Sequence, residues 1–285
     1  MDDLKALSGA KMLQYCEDIP NYNYPVRDGI NLPINLYEEY KTEKLKNIDL
    51  LIGTTLDEVR YWCVSREEIL FRLIMPIVYE NNYPKLTDED RQKLEEFMKL
   101  QNDEEIWKIT EFYNEVVFRV PIHKIAEYHS NAGGNTYVYQ WRYPGENERM
   151  GAFHNIEISY ILNNLEEIFY TGNKVNIQIA NKVQDMWINF VRNGNPSTSE
   201  YAWEQFNSDT RKIILLDEKI EMIENYQSEE RELIEPLIKY YFNINVYNLS
   251  YNVPFVYKII ALVFCVLALI IGIIIWIKKK NSIII

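Results

Sequence analysis

The sequence predicts an α/β fold. Three observations predict it: two short runs rich in β-formers, helical patterns between and after them, and an apolar hairpin near the end of the globular part. Strand, helix, strand and long helix in alternation call for helices layered on a mostly parallel sheet. With 285 residues, 47% of them hydrophobic and 14% aromatic, the chain can bury the core of one or two domains.

Residues 4–16 can form a short helix, and Pro20 to Pro33 is a turn-rich connection containing Pro25-Val-Arg-Asp28-Gly29. Ile48-Asp-Leu-Leu-Ile-Gly53 is a short apolar run between turn formers, which suits a buried parallel strand. Ser65 to about Glu127 is mostly helical in pattern. Within it, Leu86-Thr87-Asp88 provides an N-cap for a charged helix that carries Leu94, Phe97 and Met98 on one face. Thr136 to Tyr143 alternates and is rich in β-formers, so it is the next strand. Asn176 to Arg192 repeats Ile179, Val183, Met186, Trp187 and Phe190 at helical spacing and stops at Asn193-Gly194-Asn195-Pro196. Ile213–Asp217 and Ile220–Ile223 form a closing hairpin, and Gln227–Phe242 a last helix.

Charge excludes one class of partner. Asp and Glu outnumber Lys and Arg by 42 to 30, a net charge of -12, whereas phosphate binding needs a basic face, so no nucleic acid is expected. Of the cysteines, Cys265 lies in an apolar run, leaving Cys16–Cys63 as the one disulfide the globular part could form.

Ile259 to Ile277 is nineteen residues without a charge. As a helix it spans about 28 Å, against a hydrocarbon core of roughly 30 Å, so a single transmembrane helix in a lipid bilayer is expected. Lys278-Lys279-Lys280 follows and predicts a cytoplasmic C-terminus, with the globular part extracellular or lumenal. Asn248-Leu-Ser250 is a glycosylation sequon just ahead of the span. Met1 to Leu7 carry no apolar stretch of the kind a signal peptide needs.

The chemistry lies in two loops. Gly53-Thr-Thr-Leu-Asp57-Glu58 puts carboxylates just past the C-terminal end of a parallel strand, the sheet edge at which active sites of α/β proteins form. Gly151-Ala-Phe-His154-Asn-Ile-Glu157 puts a histidine between the next strand and a helix. A carboxylate followed roughly a hundred residues later by a histidine, each after a strand, is the second and third place of the Ser, Asp/Glu, His order of a hydrolase triad. His154 and Glu157 alone lack a third ligand, so no metal and no cofactor is expected.

The sequence also resembles the type-B carboxylesterases, the cholinesterase-like α/β-hydrolases. The resemblance is carried by Pro25-Val26-x-Asp28-Gly29-x-x-Leu32-Pro33, by Gly53-x-x-x-Asp57-Glu58, and by Gly151-Ala152-x-His154-x-x-Glu157-Ile158-x-Tyr160. Met186-Trp187-x-x-Phe190-x-Arg192-x-Gly194-x-Pro196 and Trp203 complete it. It implies the C-terminal portion of an α/β-hydrolase fold, with an incomplete central sheet, to which the apolar run adds one transmembrane helix. Together they divide the chain into a partial esterase domain at 1–243, a juxtamembrane segment at 244–258, the span at 259–277 and a short basic tail at 278–285. The resemblance makes Glu58 the triad acid, with Asp57 as fallback, and His154 the general base; Asp28, Glu157, Trp187 and Arg192 are structural. A small carboxylic ester is the implied substrate.

Three departures qualify it. No Gly-x-Ser-x-Gly occurs, so the nucleophile half is expected upstream of Met1, and Ser8 is an ordinary helix or cap residue. Without that half, the strand near Leu50 is expected to be an unpaired edge. Val59 and Asn155 stand where the family carries glycine, and a β-branched valine would be strained if that position needs positive φ. No cysteine lies between Glu115 and Pro121, where cholinesterases have one. The alternative reading is a non-catalytic, neuroligin-like adhesion or receptor module on the same anchor. The retained acid and histidine, and a tail of only Lys278–Ile285, argue against it.

Overall fold

The computed structural model describes residues 7–11, 25, 27–64, 79, 83–101, 103–164, 166, 171–172, 175–240 and 273. The chain divides into two units, Met1–Val26 with Asn245–Ile285, and Arg27–Ile244. In the first, residues 9–11 are helical. Lys11 N–H donates to Ser8 Oγ at 3.3 Å, so Ser8 acts as a local cap. The span 259–277 lies outside the described residues except for Ile273, and Cys16 and Asn248 lie outside them too. Among the described residues no helix is long and apolar enough to cross a membrane.

The second unit opens with helix α1 (Leu36–Tyr40), strand β1 (Leu50–Thr55) and helix α2 (Arg60–Val64). Helices α3 (Asp88–Leu100) and α4 (Glu105–Tyr113) follow, then a π-type turn (Asn114–Arg119) that runs into α5 (Val120–Asn131). Strand β2 (Thr136–Trp141), helices α6 (Ile156–Ile161) and α7 (Ile177–Asn193), hairpin strands β3 (Ile213–Leu216) and β4 (Glu221–Ile223), and helix α8 (Ser228–Ile234) complete it, ending in a 3₁₀ segment at Glu235–Tyr240.

The four strands form one sheet in the order β1-β2-β3-β4. β1 and β2 run parallel from Leu50 opposite Thr136 to Thr55 opposite Trp141, β2 and β3 are parallel, and β3 and β4 antiparallel. β1 is thus an edge among the described residues, as expected for the strand near Leu50. Alternation along β2 and β3 sorts their side chains onto two faces. Tyr137, Trp141, Ile214 and Leu216 join Ile156, Tyr160, Val183 and Met186 of α6 and α7. Val138, Ile213 and Leu215 pack with Ala126 of α5 and Phe206 on the other side. Two of the largest buried side chains meet on the first face, where the Trp141 and Tyr160 rings lie 4.7 Å apart.

Several boundaries differ from expectation for local reasons. Ile48 N–H is taken up in a turn by Leu45 O at 2.9 Å, so the first ladder bond is Leu50 to Asn135 O and the strand starts two residues late. β2 stops at Trp141 because Arg142 and Tyr143 both donate to Leu216 O, a bulge ahead of Pro144. Helix α8 gives way at Ile234 because Pro236 has no N–H to extend it. The caps fall where expected: Thr87 Oγ1 accepts from Asp90 N–H at 3.2 Å, and Asn176 Oδ1 accepts from Gln178 and Ile179 N–H. Gly194 ends α7 at φ +70, a left-handed conformation suited to glycine.

Candidate active site

Strand β1 ends at Thr55, and the chain turns through Leu56, Asp57 and Glu58 before α2 begins at Arg60. Two backbone features hold that turn. Asp57 N–H donates to Ala152 O at 2.9 Å, and Ala152 N–H returns a bond to Asp57 Oδ2 at 2.9 Å. The loop carrying Glu58 and the loop carrying His154 are thereby tied together one residue from the glutamate and two from the histidine. The close approach explains the glycine at 151: it sits at φ +61, and a Cβ there would stand 2.2 Å from Asp57 Oδ2. Gly53 is required for a similar reason, since its Cβ would lie 2.4 Å from Tyr139 across the β1–β2 pair.

Glu58 and His154, 96 residues apart, meet: His154 Nδ1 and Glu58 Oε2 are 2.6 Å apart. The other carboxylate oxygen, Oε1, accepts from Thr55 N–H at 2.8 Å, which fixes the carboxylate plane. Glu58 is 5% exposed while a third of the His154 side chain is open, so the pair has a buried end and an accessible end. An ionised carboxylate only accepts, so the bond places a proton on Nδ1 and leaves Nε2 with its lone pair in the neutral ring. That is the form in which an imidazole takes a proton from an incoming hydroxyl.

The other two histidines are occupied by structure. His129 bonds Thr136 Oγ1 at 2.8 Å and Leu45 O at 3.2 Å. His123 is buried, and burial, with the nearby cations of Arg211, Arg119 and Arg231, pushes its pKa down to about 3. Asp57, the fallback acid, does not serve His154. Its Oδ1 pairs with Arg60 Nε at 2.8 Å and its Oδ2 takes Ala152 N–H; burial raises its pKa, with Arg60 and Ala152 opposing. Asp28 is a turn residue, accepting from the N–H groups of Ile30, Asn31 and Leu32, bonds that hold its carboxyl well below the usual range.

The glycine departures resolve differently. Asn155 adopts φ +66, a left-handed conformation that asparagine tolerates, so this position does use the freedom glycine has. Val59 is absent from the residues with positive φ and is fully buried, so no strain arises there. Its N–H donates to Asn114 Oδ1 at 2.8 Å. Cys63 is buried with Sγ 3.3 Å from Thr110 Oγ1, and its proposed partner Cys16 lies outside the described residues.

Sequence reasoning missed the walls of the site. The His154 ring lies 5.2 Å from Trp62 and 5.6 Å from Phe118, and those two rings stack at 6.4 Å. Trp62 stands in the helix that follows Glu58, four residues on, and that nearness was the available signal. Phe118 gave none, because the π-type turn that presents it departs from helical periodicity.

Residues 4–234 match the model of the carboxylesterase family. The chain is 25% identical over 245 residues to para-nitrobenzyl esterase of Bacillus subtilis (strain 168), covering 82% of this chain and 47% of that protein. A solved structure of PNB esterase superposes with a TM-score of 0.59 at 20% identity, covering 82% of this chain and 50% of that one. A carboxylesterase of Geobacillus stearothermophilus does so with 0.60 at 18%, covering 81% and 50%. These two structures share the α/β-hydrolase-like fold, and the chain spans about half the length of the relatives it matches.

Proposed function

The chain belongs to the carboxylesterase family, and on that premise we propose that Glu58 and His154 are the acid and base of a serine hydrolase triad whose hydroxyl comes from residues outside this sequence. The observation that carries the reading is the 2.6 Å contact between His154 Nδ1 and Glu58 Oε2 at the C-terminal edge of parallel strands. The absence of a Gly-x-Ser-x-Gly in these 285 residues, and a match that covers about half of the relatives' length, support a nucleophile supplied from elsewhere. The reaction is hydrolysis of a small carboxylic ester. Nε2 of His154 takes the serine proton as oxygen attacks the carbonyl, and the imidazolium, stabilised by Glu58, returns it to the leaving alcohol. Water then repeats the sequence on the acyl-enzyme.

An organophosphonate probe on the native protein tests this. A covalent adduct on a serine outside residues 1–285, lost in His154→Gln, is expected. No adduct on folded protein would favour the adhesion module instead.

Membrane attachment is part of the same proposal and rests on the uncharged run Ile259–Ile277 and the three lysines after it. On this reading the esterase domain, residues 1–243, stands outside or in a lumen, tethered through 244–258 to the span at 259–277, with 278–285 in the cytoplasm. A glycan on Asn248 is expected by mass spectrometry of the native protein; a cytosolic body excludes one.

A further inference from the structure

We infer that Asn114, with Arg119 behind it, is a positioning residue that sets the Glu58 carboxylate against His154. The inference rests on the acid and base reading of that pair. Asn114 is buried, 1% exposed, and its one amide brackets Glu58 on both sides. Oδ1 accepts Val59 N–H at 2.8 Å, the residue after the acid, and Nδ2 donates to Leu56 O at 3.4 Å, two residues before it. Nδ2 also donates to Glu111 Oε2 at 2.8 Å, which fixes the orientation of the amide. Arg119 adds a second donor, Nη2, to the same Leu56 O at 3.3 Å, and is itself buried and paired with Glu111 and Glu115. No side chain other than a carboxamide offers one acceptor and two donors at that reach: aspartate lacks the donors and leucine lacks both.

The backbone explains why these residues stand there. Pro121 has no N–H to give Val117 O, and its ring crowds that carbonyl. The helix widens ahead of it, so that Val120 N–H reaches back five residues to Glu115 O. In such a wide turn residues four apart stack more nearly above one another, and Asn114 and Phe118 both face the site. Asn114 clamps the acid loop while Phe118 walls His154. Neither Asn114 nor Arg119 bonds His154, so both act through Glu58.

The test reads the hydrogen bond itself. In the full chain, labelled with ¹⁵N at its three histidines, the proton on His154 Nδ1 should give a far-downfield resonance, assigned by its absence in His154→Gln. Asn114→Ala should abolish that resonance or move it upfield. Leu94→Ala, a cavity in α3 away from the site with at least as large a fall in melting temperature, should leave it in place. If Asn114→Ala does not fold, Asn114→Ser serves as the second variant, with an upfield shift expected. An unchanged resonance in a folded Asn114 variant would reduce Asn114 to a structural role and overturn the inference, leaving the acid and base pair standing. A wild-type chain with no such resonance would remove the pair, and the inference with it.

Discussion

Glu157 lies three residues beyond His154 in the first turn of α6, and its carboxyl is pushed up to about 7, first by burial and next by the negative charge of Glu58. The sequence marked it as structural, by its place at a helix start. The structure adds an electrostatic consequence: two buried carboxylates lie near one another, and Glu58 keeps the imidazole bond. The folded pKa of Glu157 is raised above its ordinary 4.5, so the stability it lends is complete below about 4.5 and is lost as pH rises through about 7. Glu157→Gln is neutral throughout. Its stability relative to wild type should therefore rise by about 2 to 3 kcal/mol between pH 5 and pH 8, read by urea unfolding at both. A difference independent of pH would mean that Glu157 ionises as an exposed carboxylate does.

At the scale of elements, what the sequence made legible was what a single period or a single cap decides. α7 was readable because Ile179, Val183 and Met186 recur at helical spacing between Asn176 and Gly194, and those three side chains are buried. β2 was readable because Tyr137, Tyr139 and Trp141 alternate with Val138 and Gln140, and the two sets pack on opposite faces. Glu58 and His154 were readable as candidates because each follows a strand. Their meeting depends on register: Leu50 opposite Thr136 carries both loops to the same edge, and no local pattern encodes that. The ends of β1, β2 and α8 were not legible, since a turn, a bulge and a proline set them. The π-type turn was hidden altogether. Its cause, Pro121, lies inside a stretch read simply as mostly helical, and its effect is to place Asn114 and Phe118 off the 3.6-residue period from which a helical face is read.

At the scale of the whole molecule, the described sheet has four strands with β1 at its edge, and half-buried Leu51 and Ile52 lie on that strand. An edge of apolar parallel strand invites pairing, and pairing there sets new strand ends beside Glu58. A nucleophile on such a strand's end would lie at the same edge as His154, which is why the acid and base can belong to a shared site although no serine elbow lies within the sequence. Thr55 N–H on Oε1 of Glu58 and His154 on Oε2 give both oxygens of the carboxylate a partner within the described residues. Such a pair sets a quantitative expectation for the native protein. Its steady-state hydrolysis of a p-nitrophenyl ester should lose about 10⁴-fold in kcat on Glu58→Gln, with KM little changed, because the acid acts on the charged imidazole of the transition state and not on bound ester. Hydrolysis that proceeds at the wild-type kcat in Glu58→Gln would contradict it.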